Sequence, residues 1–522
     1  MEQRIPETEK TRSSTVSTVL VMACTLLSRL LGFVRIAVIG AFFGASGIAD
    51  VWNAVFTIPN NLRKLMAEGA LSSAFIPSLS QSLVEDPTGR EARLVTRKVL
   101  SFQLIILVPL VLACAVFSRQ IVGVLLAFPE PEKMRLSVDL FRWVFAYLLF
   151  VSVSAVLMAV LNSHGIFVTP ALAPVLFSVC VITATLVFFG RLGIYSMVLG
   201  VLGGGMFQVL FQLPRFLKLG YDFSPDAGFR HERFRKVLKS WLPVLGSAAI
   251  FAVNQQVAVL LASGLEDGST SALSYALVFF QLPFGIFSVS VITVLFPRMS
   301  RQAARSDTKG LSETVSYGLR YILVLLVPAA VVYILMGEQI IAVALQRRAF
   351  GPEGTLRTAR VLTGYSLGLF SLGGYTFLQR FFYSKHDFKK PLISAAVVSV
   401  TDILLSLWLR QTRLRVTGLA VANSLAFTVG FILLLAWTRR SLGTLRARVI
   451  IKSVVRMALS LIPFTGFILL FNRLTPRIAE SSLGNLGLLL AEAFAAAFIL
   501  LVMYRLLGVE VVEELMEKRG KS

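Results

Sequence analysis

The sequence has few of the residues from which catalytic and metal sites are usually built. It contains only three cysteines and three histidines among 522 residues. Cys24, Cys114 and Cys180 lie in separate apolar stretches, which predicts neither a disulfide framework nor a metal site. No Walker A loop, His-Glu-x-x-His motif or Gly-x-Ser-x-Gly motif is present, and the glycines at 203–205 lie inside an apolar stretch, which predicts close helix packing. Nothing in the sequence therefore indicates an enzyme.

Acidic residues are also scarce, because 28 Asp and Glu stand against 51 Lys and Arg and give a formal net charge of +23. Such an excess is common in nucleic-acid-binding proteins, but here its distribution argues against nucleic acid as a partner. With a cytoplasmic N-terminus, the even-numbered connections between apolar stretches hold about 23 Lys and Arg, and the odd-numbered ones about 12. This positive-inside bias predicts that both termini are cytoplasmic.

Hydrophobic length is abundant, since 56% of the residues are hydrophobic and only 15% are charged. Apolar runs of about 20 residues are long enough to cross the hydrocarbon of a bilayer. We count fourteen of them, at roughly 16–42, 49–83, 99–118, 137–162, 169–190, 194–217, 240–262, 271–297, 316–336, 357–384, 391–409, 416–437, 452–471 and 484–507. Residues 1–15 are polar and no small-residue cleavage site follows them, so no cleavable signal peptide is expected.

The chain repeats itself at an interval of about 220 residues. The motif Ser-x-x-x-Phe-x-x-Pro at 163–170 recurs at 384–391, and a motif ending in Pro-x-x-Ser at 75–80 recurs at 295–300. Six spans in each repeat give the two halves the same orientation, related by an axis along the membrane normal. The sequence therefore predicts an all-α integral membrane protein with two six-helix lobes related by a pseudo-two-fold axis. Transporters with a substrate site between rocking lobes have this organisation, and a duplicated scaffold without transport is the alternative.

The repeat divides the chain into three parts. Residues 1–220 are predicted to form the N-terminal lobe, 221–445 the C-terminal lobe, and 446–522 two further helices with a cytoplasmic tail. The additional pair is strongly apolar and contains one acid that is expected to be buried, Glu492. A transporter of small solutes has no evident use for such a pair, whereas a substrate with a long hydrocarbon tail needs a lipid-facing groove.

Polar side chains occupy the first two spans. Arg29 and Arg35 interrupt the first span. In the second span, eight polar residues fall within roughly 120° of one another on a helix: Asp50, Asn53, Thr57, Asn60, Asn61, Lys64, Glu68 and Ser72. Charges at bilayer depth cost about 2.5–3.5 kcal/mol each and usually face a cavity or a partner. The pattern predicts a hydrated, positively charged cavity, and pairing among these residues during assembly is the alternative.

These residues belong to a longer pattern that resembles the MurJ (MviN) lipid II flippases of the MOP exporter superfamily. The resemblance begins with Ser-Arg-Leu-Leu-Gly-Phe-Val-Arg at 28–35 and is densest at Pro-Asn-x-Leu-Arg-x-x-x-Ala-Glu-Gly-Ala-x-Ser-x-Ala-Phe-x-Pro, residues 59–77. Further pieces are Pro-Ala-x-Ala-Pro at 170–174, Gln-Leu-Pro at 212–214 and Phe-Tyr-Ser at 382–384. It covers nearly the whole chain, including the fourteen spans.

The resemblance implies a function in peptidoglycan biosynthesis, cell wall biogenesis and cell shape. The implied activity is movement of lipid II, the undecaprenyl-pyrophosphate-linked precursor, from the inner to the outer leaflet of the bacterial cytoplasmic (inner) membrane by alternating access. Cell-wall synthesis proteins are implied as further partners. The substrate-binding residues that carry over to this chain are Arg29, Arg35, Arg63, Asp50, Glu68, Ser28 and Asn60. Arginine suits such a substrate because its planar fork binds phosphate oxygens.

Other functions stay open at this point. One is a flippase or exporter of the same superfamily for another polyprenyl-linked glycan or a small cationic solute. Others are a membrane-embedded glycosyl- or acyltransferase, for which no catalytic group is evident, and a scaffold of cell-wall synthesis.

Two positions depart from the family's pattern. The family usually has an acid after the second arginine, where Ile36 stands here. It also tends to have an Asp-Arg pair in the eighth span, around Val278 in this chain. Either the remaining arginines suffice, or a different residue substitutes, or the substrate differs.

The sequence contains no nucleotide-binding motif, so the energy for transport is expected from an ion gradient, the membrane potential or the substrate's own gradient. Asp402 stands alone in the eleventh span, with Asn423 in the twelfth and Asn254 in the seventh. A carboxylate with amide oxygens suits a monovalent cation, and a coupling ion, Na⁺ or H⁺, is the hypothesis. Interhelical hydrogen bonds are the alternative.

Overall fold

A computed structural model describes the backbone of residues 7–64, 70–443, 447–474 and 482–509, and every regular element within these ranges is a helix. Long apolar segments fold as helices because hydrocarbon offers no partners for backbone N–H and C=O groups. The helices form two compact units, Met1–Asp267 and Gly268–Ser522.

The first unit consists of ten helices in its described part. They are α1 (Glu7–Phe43), α2 (Gly47–Arg63), α3 (Ala70–Glu85), α4 (Arg90–Val116), α5 (Ser118–Leu125), α6 (Pro131–Val144), α7 (Tyr147–Ser163), α8 (Val168–Leu192), α9 (Tyr195–Lys218) and α10 (Glu232–Ser263). Helix α10 packs on α2 and α3. The compact unit therefore extends beyond residue 220, where the N-terminal lobe was predicted to end. The boundary between the two sequence repeats at residue 220 stays a prediction.

The second unit has nine α-helices and one π-helical segment among its described residues. They are α11 (Ser269–Pro283), the π-helical segment (Phe284–Ser288), α12 (Val289–Ala304), α13 (Thr308–Leu345), α14 (Pro352–Ser366), α15 (Leu369–Ser384), α16 (Lys389–Leu409), α17 (Arg415–Leu442), α18 (Ala447–Leu474) and α19 (Ser482–Leu506). The last two helices pack against each other and against α13.

The predicted all-helical, multi-span architecture is confirmed. By length and composition, 11 segments of the described chain can cross a membrane, or 12 when the bent pair α14 and α15 counts as one span. The other two of the fourteen predicted spans fall on α2 with α3 and on α10. Helices α2 and α3 have 17 and 16 residues, and residues 65–69 between them lie outside the described part. In α10 the described side chains include the apolar stretch Ala249–Ser263. A count of fourteen is consistent with this architecture.

The internal repeat is visible in the way two helices end. Helices α7 and α15 end in the segments 161–166 and 382–387. In the first segment the backbone N–H of Ile166 donates to the carbonyl of Leu161 at 2.9 Å, and in the second that of Asp387 donates to the carbonyl of Phe382 at 3.0 Å. The fifth residue has a positive φ in each, 76° at Gly165 and 56° at His386. Both ends are thus Schellman motifs, although the second uses a histidine in a conformation that normally favours glycine.

The same interval relates the helices before these ends. Pro131 and Pro352 are the first residues of α6 and α14, where a missing N–H has no cost and φ is already helical. The fourth span of each half is broken after these helices, at 145–146 and at 367–368. The duplication therefore includes interruptions that the two sequence motifs did not reveal.

Helices α8 and α9 approach closely through glycine. A Cβ at Gly204 would lie 2.8 Å from the ring of Phe177, and one at Gly200 would lie 2.8 Å from the Cα of Val181. Gly203 has open space around it. Close helix packing thus accounts for Gly204, as predicted, but the same prediction was wrong for Gly203.

Ion pairs fix the connection between α9 and α10, residues 219–231, to α4. Arg97 donates from Nε to one carboxylate oxygen of Asp222 at 2.7 Å, and its Nη2 pairs with the other oxygen. The buried Lys98 pairs with Asp226 at 2.7 Å. These contacts hold the chain in position where it enters α10.

Acidification is expected to weaken this connection. The hydrogen bonds from Arg97 lower the pKa of Asp222 to about 2, and the hydrogen bond from Lys98 lowers the pKa of Asp226. A carboxylate whose folded pKa lies below its unfolded value of about 3.9 stabilises the fold above that value and loses this effect as the pH falls through the folded pKa. We expect the melting temperature of the detergent-purified protein to fall between about pH 4 and about pH 2.

Asp222→Asn is expected to melt at a lower temperature at pH 7 and to show a shallower decline on acidification. Glu232→Gln is the matched control, because Glu232 is exposed at the start of α10. An Asp222→Asn profile that superimposes on the wild-type profile would contradict this account.

Candidate functional site

Arg35 of α1 lies on a cluster of aromatic rings in the first unit. Its Cζ is 5.1 Å from the ring centre of Phe177 on α8. The Phe177 ring lies 5.3 Å from that of Tyr147 on α7, which lies 6.0 Å from that of Phe56 on α2. Phe56 stacks on Trp52 at 5.6 Å. The ring face of Phe177 thus attracts the cation, and rings from α7 and α2 extend the cluster. No acid among the described residues pairs with Arg35.

Arg63 is the second cation of this site. It lies in the last turn of α2, after Pro59, and its Nε donates to Oδ1 of Asn60 at 3.1 Å. Arg35 and Arg63 lie within electrostatic range of each other. The structure therefore places these two predicted residues within electrostatic range in the first unit, with Asn60 accepting a hydrogen bond from Arg63. Two cations within range of each other favour an anion nearby.

Ser28 and Arg29 lie further towards the start of α1. Helix α1 is continuous, so Arg29, six residues before Arg35, projects about 120° away from it. Arg29 is exposed and Ser28 is half-buried. The structure does not place these two side chains with Arg35 and Arg63, and their role in binding stays a prediction.

The predicted polar face of α2 is present. Asp50, in the first turn, is only 3% exposed, and its charge is favourable at the N-terminal end of the helix dipole. The amide of Asn53 donates to a backbone carbonyl one turn earlier, at 2.8 Å. At the other end, Nζ of Lys64 donates to Oε1 of Gln255 on α10 at 3.3 Å. Glu68 lies outside the described residues.

Two parts of this site were not found from the sequence. Phe177 and Tyr147 gave no signal, because aromatic residues are expected in apolar spans for packing alone. Gln255 did give a signal, because two consecutive amide side chains at 255–256 are costly in hydrocarbon and usually have polar partners. The argument that polar residues in the second span face a cavity or a partner applies equally to the seventh span, and it would have identified Gln255.

A second polar cluster surrounds Asp402 of α16 in the second unit. The carboxylate is 5% exposed and accepts a hydrogen bond from Asn423 of α17 at 2.9 Å and one from Ser406 at 3.3 Å. Tyr365 of α14 is close enough to interact with it electrostatically. The bond from Asn423 to Asp402 joins two helices, and such an interhelical hydrogen bond was the alternative to an ion site in the sequence analysis. Asn254 belongs to the first unit, and its part in an ion site stays a prediction.

Within the described ranges, no three His, Cys, Asp or Glu side chains are placed to hold a metal.

The eighth span lacks the Asp-Arg pair that the family tends to have there. Helix α11, which contains Val278, has no charged residue. The π-helical segment Phe284–Ser288 follows it, and such segments are frequent at functional sites.

Comparison with known proteins identifies the family. The family described as "Lipid II flippase MurJ" matches residues 39–489. A probable lipid II flippase MurJ of Borreliella burgdorferi (strain ATCC 35210 / DSM 4680 / CIP 102532 / B31) is 32% identical over 499 residues, which cover 95% of this chain and 97% of the relative. A probable lipid II flippase MurJ of Vibrio cholerae serotype O1 is 30% identical over 433 residues, 80% of this chain and 81% of the relative.

Solved structures agree with these relatives. A lipid II flippase MurJ in an inward closed conformation has a TM-score of 0.76 and 25% identity, over 93% of this chain and 99% of that one. A multidrug resistance MATE family transporter of the MOP superfamily, in an inward-facing conformation, has a TM-score of 0.64 and 14% identity, over 82% and 99%. This second likeness shows the fold alone. The family transports rather than catalyses, and the chain belongs to the lipid II flippase MurJ family.

Proposed function

We propose that this chain moves lipid II from the inner to the outer leaflet of the bacterial inner membrane, in which it is a multi-pass protein. Membership of the family supports the substrate. The observation that carries the proposal is the contact of Arg35, a cation inside an apolar span, with the ring of Phe177, with Arg63 within electrostatic range of it. A pyrophosphate group would gain charge-assisted hydrogen bonds from both guanidinium groups.

The proposed mechanism is alternating access. The pyrophosphate binds Arg35 and Arg63 when the site opens to the cytoplasm, and it is released when the two lobes rock to open the site outward. The excess of Lys and Arg in even-numbered connections supports cytoplasmic termini. In this orientation the ion-paired connection at 219–231 is cytoplasmic.

Helices α18 and α19 are proposed to guide the hydrocarbon tail of the substrate. Large apolar side chains are exposed along both helices, among them Leu470, Leu474, Phe494, Phe498 and Leu506. Surfaces of this kind are stable only against lipid or another apolar partner. The tail therefore stays in lipid while the head group crosses.

A depletion–rescue experiment tests the proposal. The flippase of a tractable bacterium is replaced by this chain, and both growth and the amount of lipid II at the outer leaflet are measured. We expect rescue of both. An inserted, well-expressed chain that restores neither would contradict lipid II as the substrate, and Val278 would be the first position to examine.

The cluster at Asp402 supports a second proposal, that Na⁺ or H⁺ drives transport through it. The carboxylate is held between α16 and α17 by two donors whose oxygens can turn to a cation. We expect flipping in vesicles to increase with an inward Na⁺ or H⁺ gradient, and Asp402→Asn to abolish that increase. Asp307→Asn, at an exposed helix cap, is the control. Flipping that responds to neither gradient would contradict this proposal.

A further inference from the structure

Glu492 of α19 is a buried acid that the proposed transport site does not use. It is 3% exposed, and its Oε1 has no hydrogen-bond partner. An unpaired carboxylate is very costly in apolar surroundings. The side chains on the helices packed against α19 therefore determine whether the charged or the protonated form of Glu492 is stable.

Two apolar layers define the register of α13, α18 and α19. Each layer takes one residue from each helix in that order: Leu323, Met457 and Tyr504 in the first, and Met336, Ile468 and Ala496 in the second. From the first layer to the second, the numbers rise along α13 and α18 and fall along α19. Helix α18 is therefore parallel to α13, and α19 is antiparallel to both.

One further helical turn along each chain reaches a polar layer. Residues three or four positions apart share a helix face, so the next residues are Gln339, Asn472 and Glu492. The hydrogen bond from Nε2 of Gln339 to Oδ1 of Asn472, at 2.8 Å, shows that the first two meet. Leu489 packs on the second apolar layer. Glu492 lies between Leu489 and Ala496 on that face, so it faces the same junction.

This polar layer contains two acceptors without donors. Oε1 of Gln339 and Oε1 of Glu492 are both buried and have no hydrogen-bond partner. The charged residues nearest to the layer along these helices are Glu338 and Arg473, each one position from a layer residue and therefore turned about 100° aside. Arg473 is exposed. No N–H or O–H group of the described residues donates to either of these two oxygens.

We propose that Glu492, Gln339 and Asn472 form a proton-binding site between α13, α18 and α19. One proton on Glu492 removes the buried charge and turns a carboxylate oxygen into a donor aimed at the amide oxygen of Gln339. The neutral acid then satisfies both acceptors at once. The site takes a proton whichever lipid the chain carries, so it does not depend on the proposed function.

Labelling with dicyclohexylcarbodiimide tests the site, because this apolar reagent reacts with protonated carboxyl groups in membranes. The acid proton moves to a carbodiimide nitrogen and the carboxyl oxygen bonds to its carbon. The adduct then rearranges to a stable N-acylurea with all atoms retained. At pH 7 fewer than about 1% of exposed glutamates are protonated. We expect peptide mass spectrometry to find labelling at Glu492 at least about tenfold above that at the exposed Glu232.

Three further arms make the outcome decisive. Glu492→Gln, which mimics the neutral acid, is expected to remove the label and to keep the melting temperature of the wild type between pH 6 and pH 8. Labelling of Glu492 is expected to decline as the pH is raised. Na⁺ in place of K⁺ is expected to leave it unchanged. Labelling no greater than at Glu232, or protection by Na⁺ at constant pH, would overturn the proposal.

Discussion

Arg35→Ala is expected to abolish rescue of a strain depleted of its own flippase. The substitution removes one of two neighbouring cations and leaves the ring of Phe177 without its cation. A hydrogen bond to a charged group contributes about 2 kcal/mol, which corresponds to about 30-fold in affinity for the pyrophosphate. Lipid II accessibility at the outer leaflet is the measurement, with protein amount and melting temperature recorded in parallel.

Two variants separate the loss of this contact from a loss of folding. Arg191→Ala removes an exposed arginine from the last turn of α8 in the same unit, and it is expected to rescue fully. Arg35→Lys keeps the charge but loses the planar fork, so an intermediate result is expected. If Arg35→Ala rescued as well as Arg191→Ala, the arginine site would have no part in transport.

Gly204→Ala is expected to lower both the melting temperature and the rescue. Its Cβ would lie 2.8 Å from the ring of Phe177 and 3.2 Å from the Cα and carbonyl oxygen of the same residue. Moving the ring alone does not relieve the contacts with the backbone, so α8 must shift. Overpacking of this kind costs about 1–3 kcal/mol. Because Arg35 rests on Phe177, the displacement also reaches the proposed substrate site.

Gly203→Ala is the matched control, one residue earlier on the same helix. A Cβ there meets nothing within 4 Å. Since alanine favours helix over glycine by about 1 kcal/mol, unchanged or slightly raised stability is expected, with full rescue. Equal losses in the two variants would mean that backbone flexibility, rather than contact with Phe177, is what these glycines provide.

The architecture could be predicted because the signals that produce it are local. Apolar runs of spanning length define helices wherever hydrocarbon is the solvent. The repeat was readable from short motifs because helix ends depend on a few residues in sequence. Gly165 and His386 occupy the same left-handed position, and Pro131 and Pro352 both begin helices.

Features set by tertiary contact could not be predicted in this way. The grouping of α10 with the first unit depends on packing against α2 and α3. The pair of Lys98 and Asp226 joins residues 128 positions apart, and nothing in either segment alone marks the partner. The polar layer at Glu492 likewise requires the register of three helices.

The candidate site was predicted in part. Arg35 stood out because charge in hydrocarbon is rare, and Arg63 was implied by the family resemblance; the structure adds that the two lie within electrostatic range. The aromatic support from Phe177 and Tyr147 is invisible in an apolar sequence. Substrate binding by these residues stays a prediction.

Flipping in reconstituted vesicles tests the central claim most directly. Lipid II with a fluorescent head group is incorporated into both leaflets, and a membrane-impermeant quencher is added outside. Without protein, only the outer-leaflet lipid is quenched. With this chain we predict that nearly all the fluorescence is lost, and that Arg35→Ala vesicles behave like protein-free ones. Wild-type vesicles that quench no further than protein-free vesicles would contradict the account, as would Arg35→Ala vesicles that match the wild type.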